Sequence, residues 1–322
     1  MDRKALREFT HKGENFLTID NGNYKQWVFR YTFLELEKDL FDKGDITSNG
    51  MFHSRRQVKA TIFAREPGVL AGKQEIEYFL KEADAAFRPR VPGEFDLKFF
   101  FNDGDEFKTD DALLEIGADV HDLLAVERTC LNLLMRMSGV ATHTKSVIDL
   151  VSSEDVLVTP TRKTLWGLLD KRAVMVAGGG SHRINLSDAI LIKDTHLDLV
   201  GRDFEKVFQN IADSGVNPRF LEIEILDPNE AVNAAGILAR FISEKKLRTI
   251  GVILLDNMGP EKIVKSMEAL KKAGLYDDLL FEASGGINKD TALTYAQTGV
   301  DIISLGSITN GPRSLNMSMK IS

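Results

Sequence analysis

Beyond about residue 151 the chain alternates between two kinds of segment, and this constrains its fold more than any other feature. Short apolar runs occur at Val156–Val158, Ala189–Ile192, Phe220–Ile225, Gly251–Leu255, Leu279–Glu282 and Ile302–Leu305. Helical patterns alternate with them at Asp203–Ser214, Asn229–Phe241, Pro260–Ala273 and Lys289–Thr298. Strands separated by helices predict a parallel sheet, because parallel neighbours need a long crossover and that crossover is right-handed. The strands are apolar on both faces, as a closed barrel requires. The residues at the end of each strand point the same way. Arg162 and Lys163 come after the first, and Lys193 and Asp194 after the second. Glu222 and Glu224 lie in the third, and Asp256-Asn257 closes the fourth. Ser284-Gly285-Gly286 closes the fifth and Gly306-Ser307 the sixth. Barrels of this class carry their active sites at the carboxyl ends of the strands. A barrel is therefore preferred here to the alternative, an open sheet.

Up to about Val120 the pattern is mixed. A helix is predicted over Lys25–Leu40, with Phe29, Phe33, Leu36 and Leu40 sharing one apolar face. Strands are predicted at Val58–Ala64, Leu97–Phe101 and Ala112–Ile116, with a helix at Lys73–Ala86. Pro92-Gly93 and Asn102-Asp103-Gly104 mark turns. This is an α+β layer, and a long helix from Asp122 to Val151 leads out of it.

The net charge of -7 argues against nucleic acid as a partner, which needs a basic face. Cys130 is the only cysteine and lies in an apolar helical run, so it reads as core and leaves no internal disulfide. With neither a signal-peptide core nor a membrane-length apolar run, the expectation is a soluble cytoplasmic protein.

Against this acidic background, Arg162, Lys163, His182, Arg183 and Lys193 border apolar or glycine-rich sequence. Cations in such places are costly unless an anion meets them, so they predict a pocket for a substrate with several negative charges. Glycines after two successive late strands, Gly285-Gly286 and Gly306, let the backbone approach a phosphate; two tight turns are the plainer reading. Glu224 and Asp256 can hold ribose hydroxyls or Mg²⁺ through water, or form salt bridges to the lysines. Glu222 shares the parity of Glu224, and the pattern does not choose between them. His196 reads as a helix-start residue or an acid–base group. His11, His53, His121 and His143 show no metal-ligand spacing.

These residues fall within longer stretches that resemble the quinolinate phosphoribosyltransferase family. The stretches are Gly44-Asp45-Ile46-Thr47, Gly68-Val69-Leu70-Ala71-Gly72, Glu127-Arg128-Thr129, Ser138-Gly139-Val140-Ala141-Thr142 and Thr161-Arg162-Lys163-Thr164. They continue with His182-Arg183, Leu191-Ile192-Lys193-Asp194, Glu222-Ile223-Glu224, Leu254-Leu255-Asp256-Asn257, Glu282-Ala283-Ser284-Gly285-Gly286-Ile287 and Gly299-Val300-Asp301-Ile302-Ile303-Ser304.

The resemblance implies an α/β protein with an N-terminal α+β open sandwich domain (25–135) and a C-terminal seven-stranded α/β barrel holding the active site (136–311). The tail 312–322 would pack back on the first domain, and 1–24 is an extension without an assigned role. It implies transfer of phosphoribosyl from phosphoribosyl pyrophosphate to quinolinate with decarboxylation, in NAD biosynthesis, with Mg²⁺ held mainly through substrate. Catalytic roles fall to Lys163, Lys193, Glu224 and Asp256. The substrate-binding set is Arg128, Arg162, Lys163, His182, Arg183, Lys193, Glu224, Asp256, Ser284, Gly285, Gly286 and Gly306. The implied assembly is a homodimer or higher homo-oligomer, with Arg128 completing the neighbouring subunit's site. Departures at Pro160, Leu165-Trp166 and Thr195 bear on substrate preference. The rival readings are a phosphoribosyltransferase for another aromatic acid such as nicotinate, and a molybdenum-transport-associated binding protein of the same fold. The Lys193-Asp194 step speaks against the latter.

Overall fold

The computed structural model describes residues 2–82, 91 and 93–321. Helix α1 (Arg3–His11) opens the chain, capped by Asp2, whose carboxylate accepts the Ala5 N–H at 2.7 Å. Helix α2 (Gly22–Leu40) starts ahead of the predicted Lys25, because the Asn21 side chain accepts the N–H groups of Asn23 and Tyr24. Its buried face is Tyr24, Val28, Thr32, Leu36 and Leu40. The predicted face is therefore right for the two leucines only. Phe29 and Phe33 lie beside that row and stack on each other at 5.7 Å. After α3 (Ile46–Met51) come β1 (Gln57–Ala64), β2 (Gly68–Val69) and α4 (Lys73–Glu77), then β3 (Asp96–Phe99), β4 (Glu106–Phe107), β5 (Ala112–Asp119) and the long α5 (Val120–Leu150). The helix predicted over Lys73–Ala86 continues beyond α4 as a π-type turn to Glu82. Residues 83–86 of that prediction, and Pro92 of the predicted turn, lie outside the described residues.

The second half alternates as expected: β6 (Leu157–Pro160), α6 (Leu168–Val176), β7 (Ile190–Ile192), α7 (Asp194–Leu199), α8 (Phe204–Ser214), β8 (Phe220–Ile225) and α9 (Pro228–Ser243). It continues with β9 (Ile250–Asp256), α10 (Pro260–Lys272), β10 (Leu280–Ser284), α11 (Ala292–Ala296), β11 (Ile302–Leu305), α12 (Ser307–Asn310) and β12 (Met317–Ile321).

The chain forms two compact units. One comprises residues 14–145, 166–178 and 312–322. Its antiparallel sheet has the order β12-β1-β5-β3, with Ala60 opposite Ile321 and Ala64 opposite Met317. Cys130 is buried in this unit, and burial pushes its thiol well above the ordinary range, so it is core.

The other unit comprises residues 1–13, 146–165 and 179–311. Its six parallel strands have the order β6-β11-β10-β9-β8-β7. The first strand pairs with the last, Leu157 opposite Ile302, which is the pairing that closes a barrel. Seven strands were expected and six are regular. The missing stave is the segment between β6 and β7. Gly180 donates its N–H to Val158 on β6 at 2.8 Å, as a strand neighbour does. His182 then takes a left-handed backbone, φ 53°, which ends any pleat.

Side chains alternate along a strand, so same-parity positions climb the barrel in layers. Ala189, Phe220, Val252 and Leu280 form an apolar floor, against which Leu6 of α1 packs. One layer up stand Glu222 and Glu282, both fully buried. One layer further, Glu224, Asp256 and Ser284 face a cavity.

Candidate active site

A cavity of about 440 Å³ opens at the carboxyl ends of the barrel strands. Arg162 and Lys163 enter it from the loop after β6, and His182 and Arg183 from the irregular stave. Lys193 stands at the start of α7. Glu224, Asp256 and Ser284 end β8, β9 and β10, with Gly285, Gly286 and Gly306 on the following turns. Every nominated residue therefore lines this one cavity except Arg128. That arginine lies on α5 with a side chain 58% exposed, 3.9 Å from Glu127. The sequence reading passed over several lining residues, among them Leu191, Leu254 and Ser304. Ser304 had a signal: it is polar within the apolar run Ile302–Leu305, and its buried hydroxyl has no hydrogen-bond partner.

The charges are close together and partly shielded. Burial lowers the Arg183 pKa, and the neighbouring Arg162 lowers it further. Two guanidinium groups held this way favour an anion between them. Burial raises Glu224, against the pull of Lys193, whose Nζ lies 3.8 Å away. The Asp194 N–H also donates to Glu224, at 3.3 Å. Burial raises Asp256 as well; Lys163 opposes the shift and Asp194 adds to it. Carboxylates raised in this way are suited to sugar hydroxyls or a hard cation. The Asn257 amide fixes Asp256 by donating to it at 2.6 Å. His196 serves the start of α7, its Nδ1 accepting the Lys193 N–H at 2.9 Å.

Glu222 and Glu224 share a face and differ in depth. Only Glu224 reaches the cavity. Beneath it His182 Nε2 lies 3.3 Å from both Glu222 and Glu282, and His11 Nε2 lies 3.2 Å from Glu282. Burial raises Glu222, reinforced by the Glu282 charge, which favours its protonated form. Burial would also raise Glu282, but the two histidines outweigh it and hold that carboxyl well below the usual range. Burial lowers His11 to about 4. For His182, burial pulls down while Glu282 and Glu222 push up, to about 9. The Arg183 N–H donates to His182 Nδ1 at 2.6 Å, which favours a lone pair there. The two influences disagree on whether the ring is charged. In either state Nε2 keeps its proton. The four side chains bring ligand-type atoms within 4.8 Å of one another. With its proton on Nε2, His182 faces the two glutamates as a donor.

Two glycines have specific reasons. A Cβ at Gly306 would sit 3.3 Å from Thr161 Oγ1, so glycine lets the loops after β11 and β6 approach. Gly285 has φ 93°, and a Cβ there would lie 2.6 Å from the Asn257 backbone nitrogen. Among the departures from the family pattern, Trp166 packs its ring against Tyr31 at 4.6 Å. Pro160 is buried at the end of β6, opposite Leu305.

The profile of the quinolinate phosphoribosyl transferase N-terminal domain matches residues 45–138, and that of the C-terminal domain matches residues 140–320. The chain belongs to the quinolinate phosphoribosyl transferase family. It is 36% identical over 281 residues to a probable carboxylating nicotinate-nucleotide pyrophosphorylase of Methanothermobacter thermautotrophicus, covering 86% of this chain and 93% of that one. It is 33% identical over 289 residues to the carboxylating nicotinate-nucleotide pyrophosphorylase of Mycobacterium leprae, covering 89% and 94%. Among solved structures, NadC from Streptococcus pyogenes superposes with a TM-score of 0.77 at 31% identity, covering 92% of this chain and 97% of that one. No described helix is long and apolar enough to cross a membrane.

Proposed function

We propose that the chain joins quinolinate to phosphoribosyl pyrophosphate, yielding nicotinate mononucleotide, pyrophosphate and carbon dioxide. The observation that carries this reading is the cavity's division of labour. Arg162, Arg183, Lys163 and Lys193 supply positive charge, Glu224 and Asp256 supply oxygen ligands, and glycine turns supply backbone, all around one space. Membership of the family supports it.

In this reading Arg162, Arg183 and Lys193 hold the two ring carboxylates, and Lys163 stands near both substrates. The pyridine nitrogen attacks the anomeric carbon while the carbon–oxygen bond to pyrophosphate breaks. N-ribosylation makes the ring cationic. The carboxylate next to the nitrogen then leaves as carbon dioxide, and the ring takes up the remaining electron pair before a proton replaces it. Positioned charges carry the chemistry, so no covalent nucleophile is required. The Ser284–Gly286 turn and Gly306 hold the 5′-phosphate. Glu224 and Asp256, as half-buried carboxylates with raised pKa values, fit the ribose hydroxyls and Mg²⁺. Bound there, Mg²⁺ would neutralise charge on the departing pyrophosphate. His182, engaged with two glutamates, supports the cavity wall next to Arg183.

Arg128 lies in the other compact unit with an exposed side chain, and the family resemblance has it serve the neighbouring subunit's site in a homodimer. The test of the activity is purified protein with Mg²⁺, phosphoribosyl pyrophosphate and either quinolinate or nicotinate, following mononucleotide and carbon dioxide. Absence of carbon dioxide release from quinolinate overturns the reading. For the shared site, Arg128→Ala and Arg162→Ala proteins are mixed under verified subunit exchange. Regained activity is expected; none argues that Arg128 acts within its own subunit.

A further inference from the structure

Helix α1 precedes the residues matched by the family profiles, which begin at 45. It nevertheless belongs to the barrel unit. Asp301 and Tyr276 hold its first turn through Arg3, which bonds Asp301 at 2.7 Å and lies 3.9 Å over the Tyr276 ring. Its last residue does something different. The His11 carbonyl accepts N–H bonds from Ser181 at 2.6 Å and His182 at 3.1 Å. Ser181 and His182 are both buried, so in the folded chain their amides depend on the His11 carbonyl. Arg219 ties the two segments together, donating to the Thr10 carbonyl and, at 3.3 Å, to the His182 carbonyl. Gly180 is part of the fit, since a Cβ there would lie 2.5 Å from the His11 carbonyl oxygen. The His11 ring stacks on Phe220 at 4.5 Å and stands edge-on to His182 at 5.1 Å.

The irregular stave therefore lacks a full strand partner and has the end of α1 instead. That matters because His182 is a non-glycine residue at φ 53°. Such a backbone persists only where its surroundings hold it. Arg183, the next residue, lines the cavity. We infer that α1 is a brace for the acid-binding wall of the cavity, and that His11 is a positioning residue that sets Arg183 through His182. The kinetic arm of this inference rests on the quinolinate reading above.

The full-length chain is tested as His11→Ala, His11→Gln and Gly180→Ala. The glutamine can keep an N–H near the place of Nε2, facing Glu282. The Gly180 change pushes the stave off the His11 carbonyl without removing a side chain. In His11→Ala and Gly180→Ala the KM for quinolinate should rise about tenfold, since small misplacements of a binding group have effects of that order or more. The KM for phosphoribosyl pyrophosphate and kcat should stay within about twofold, and His11→Gln should recover most of the loss. Hydrogen exchange of the 179–184 amides, which needs no substrate, should be faster in both damaging variants. An unchanged quinolinate KM, a parallel rise of both KM values, or no advantage of glutamine over alanine would overturn the inference. If the wild type releases no carbon dioxide from quinolinate, the proposed activity falls and exchange alone decides. Unchanged exchange in both variants then overturns the brace as well.

Discussion

Gly285 and Gly286 are adjacent, both have positive φ, and they should respond differently to the same substitution. Gly286 has φ 68° and open space where a Cβ would stand. Its change to alanine pays only for the left-handed backbone, about 1–2 kcal/mol. Gly285 has φ 93°, and its Cβ would fall 2.6 Å from the Asn257 nitrogen. Asn257 cannot easily move aside. Its N–H donates to the Ser284 carbonyl at 2.9 Å, and its amide holds Asp256. The overpacking adds about 1–3 kcal/mol to the backbone strain, giving a loss of about 2–5 kcal/mol for Gly285→Ala. Both tryptophans, Trp27 and Trp166, lie in the α+β unit, so their fluorescence reports elsewhere. Guanidinium unfolding followed by far-UV circular dichroism is the appropriate assay. Equal losses in the two variants would refute the argument, because φ alone would then account for both.

The neighbouring glutamates should also separate. Glu222→Gln replaces a carboxyl whose protonated form burial favours and should keep activity within about threefold, whereas Glu224→Gln should lose about 10²-fold in kcat/KM; similar losses would mean that depth in the barrel does not assign their roles. Arg162→Ala and Arg183→Ala should each lose about 10²-fold or more with unchanged circular dichroism, and near-normal turnover in either would remove it from the anion site. Quinolinate should be preferred to nicotinate by at least about tenfold in kcat/KM, equivalent to about 1.4 kcal/mol, because the second carboxylate meets cations otherwise left unpaired; competition kinetics showing equal use would refute this. His11, lowered to about 4 from 6.5, stays neutral in the folded state while the unfolded chain takes up its proton, so its contribution is fully present above pH 6.5 and fades as pH falls toward 4. Wild type minus His11→Leu unfolding free energy should therefore shrink by about 3 kcal/mol across that window, and a difference independent of pH would show that the ring is not held neutral.

The strands and the cavity's polar rim were legible because their signals are local. An apolar run ending in Lys193-Asp194 or Asp256-Asn257 shows its direction in a few residues. What escaped was decided by depth or by distance along the chain. Glu222 and Glu224 have the same parity, and only their places along β8, about 7 Å apart, separate a buried group from a cavity wall. The α2 face was misread because the large Phe29 and Phe33 outweighed Val28 and Thr32, although the buried row runs through the smaller pair. The seventh stave was not regular because a left-handed residue interrupts it, and single sequences give little warning of a histidine in that conformation. His11 was set aside for lacking a local spacing, yet its partners lie on β10 and the irregular stave, far along the chain.

Strand β12 has a consequence for how the molecule is made. It is the last strand among the described residues, and it pairs with β1 in a sheet otherwise complete by residue 119. During synthesis β1 must wait, with one edge open, while the whole barrel emerges. Open edges are where chains pair with the wrong neighbour, and contacts between residues this far apart form late. The alanines and isoleucine on β1 are thus most vulnerable while the ribosome is still working. A chain lacking residues 317–321 would keep every cavity residue but lack the strand that covers this edge. Such a product would be lost to aggregation before it was lost to inactivity.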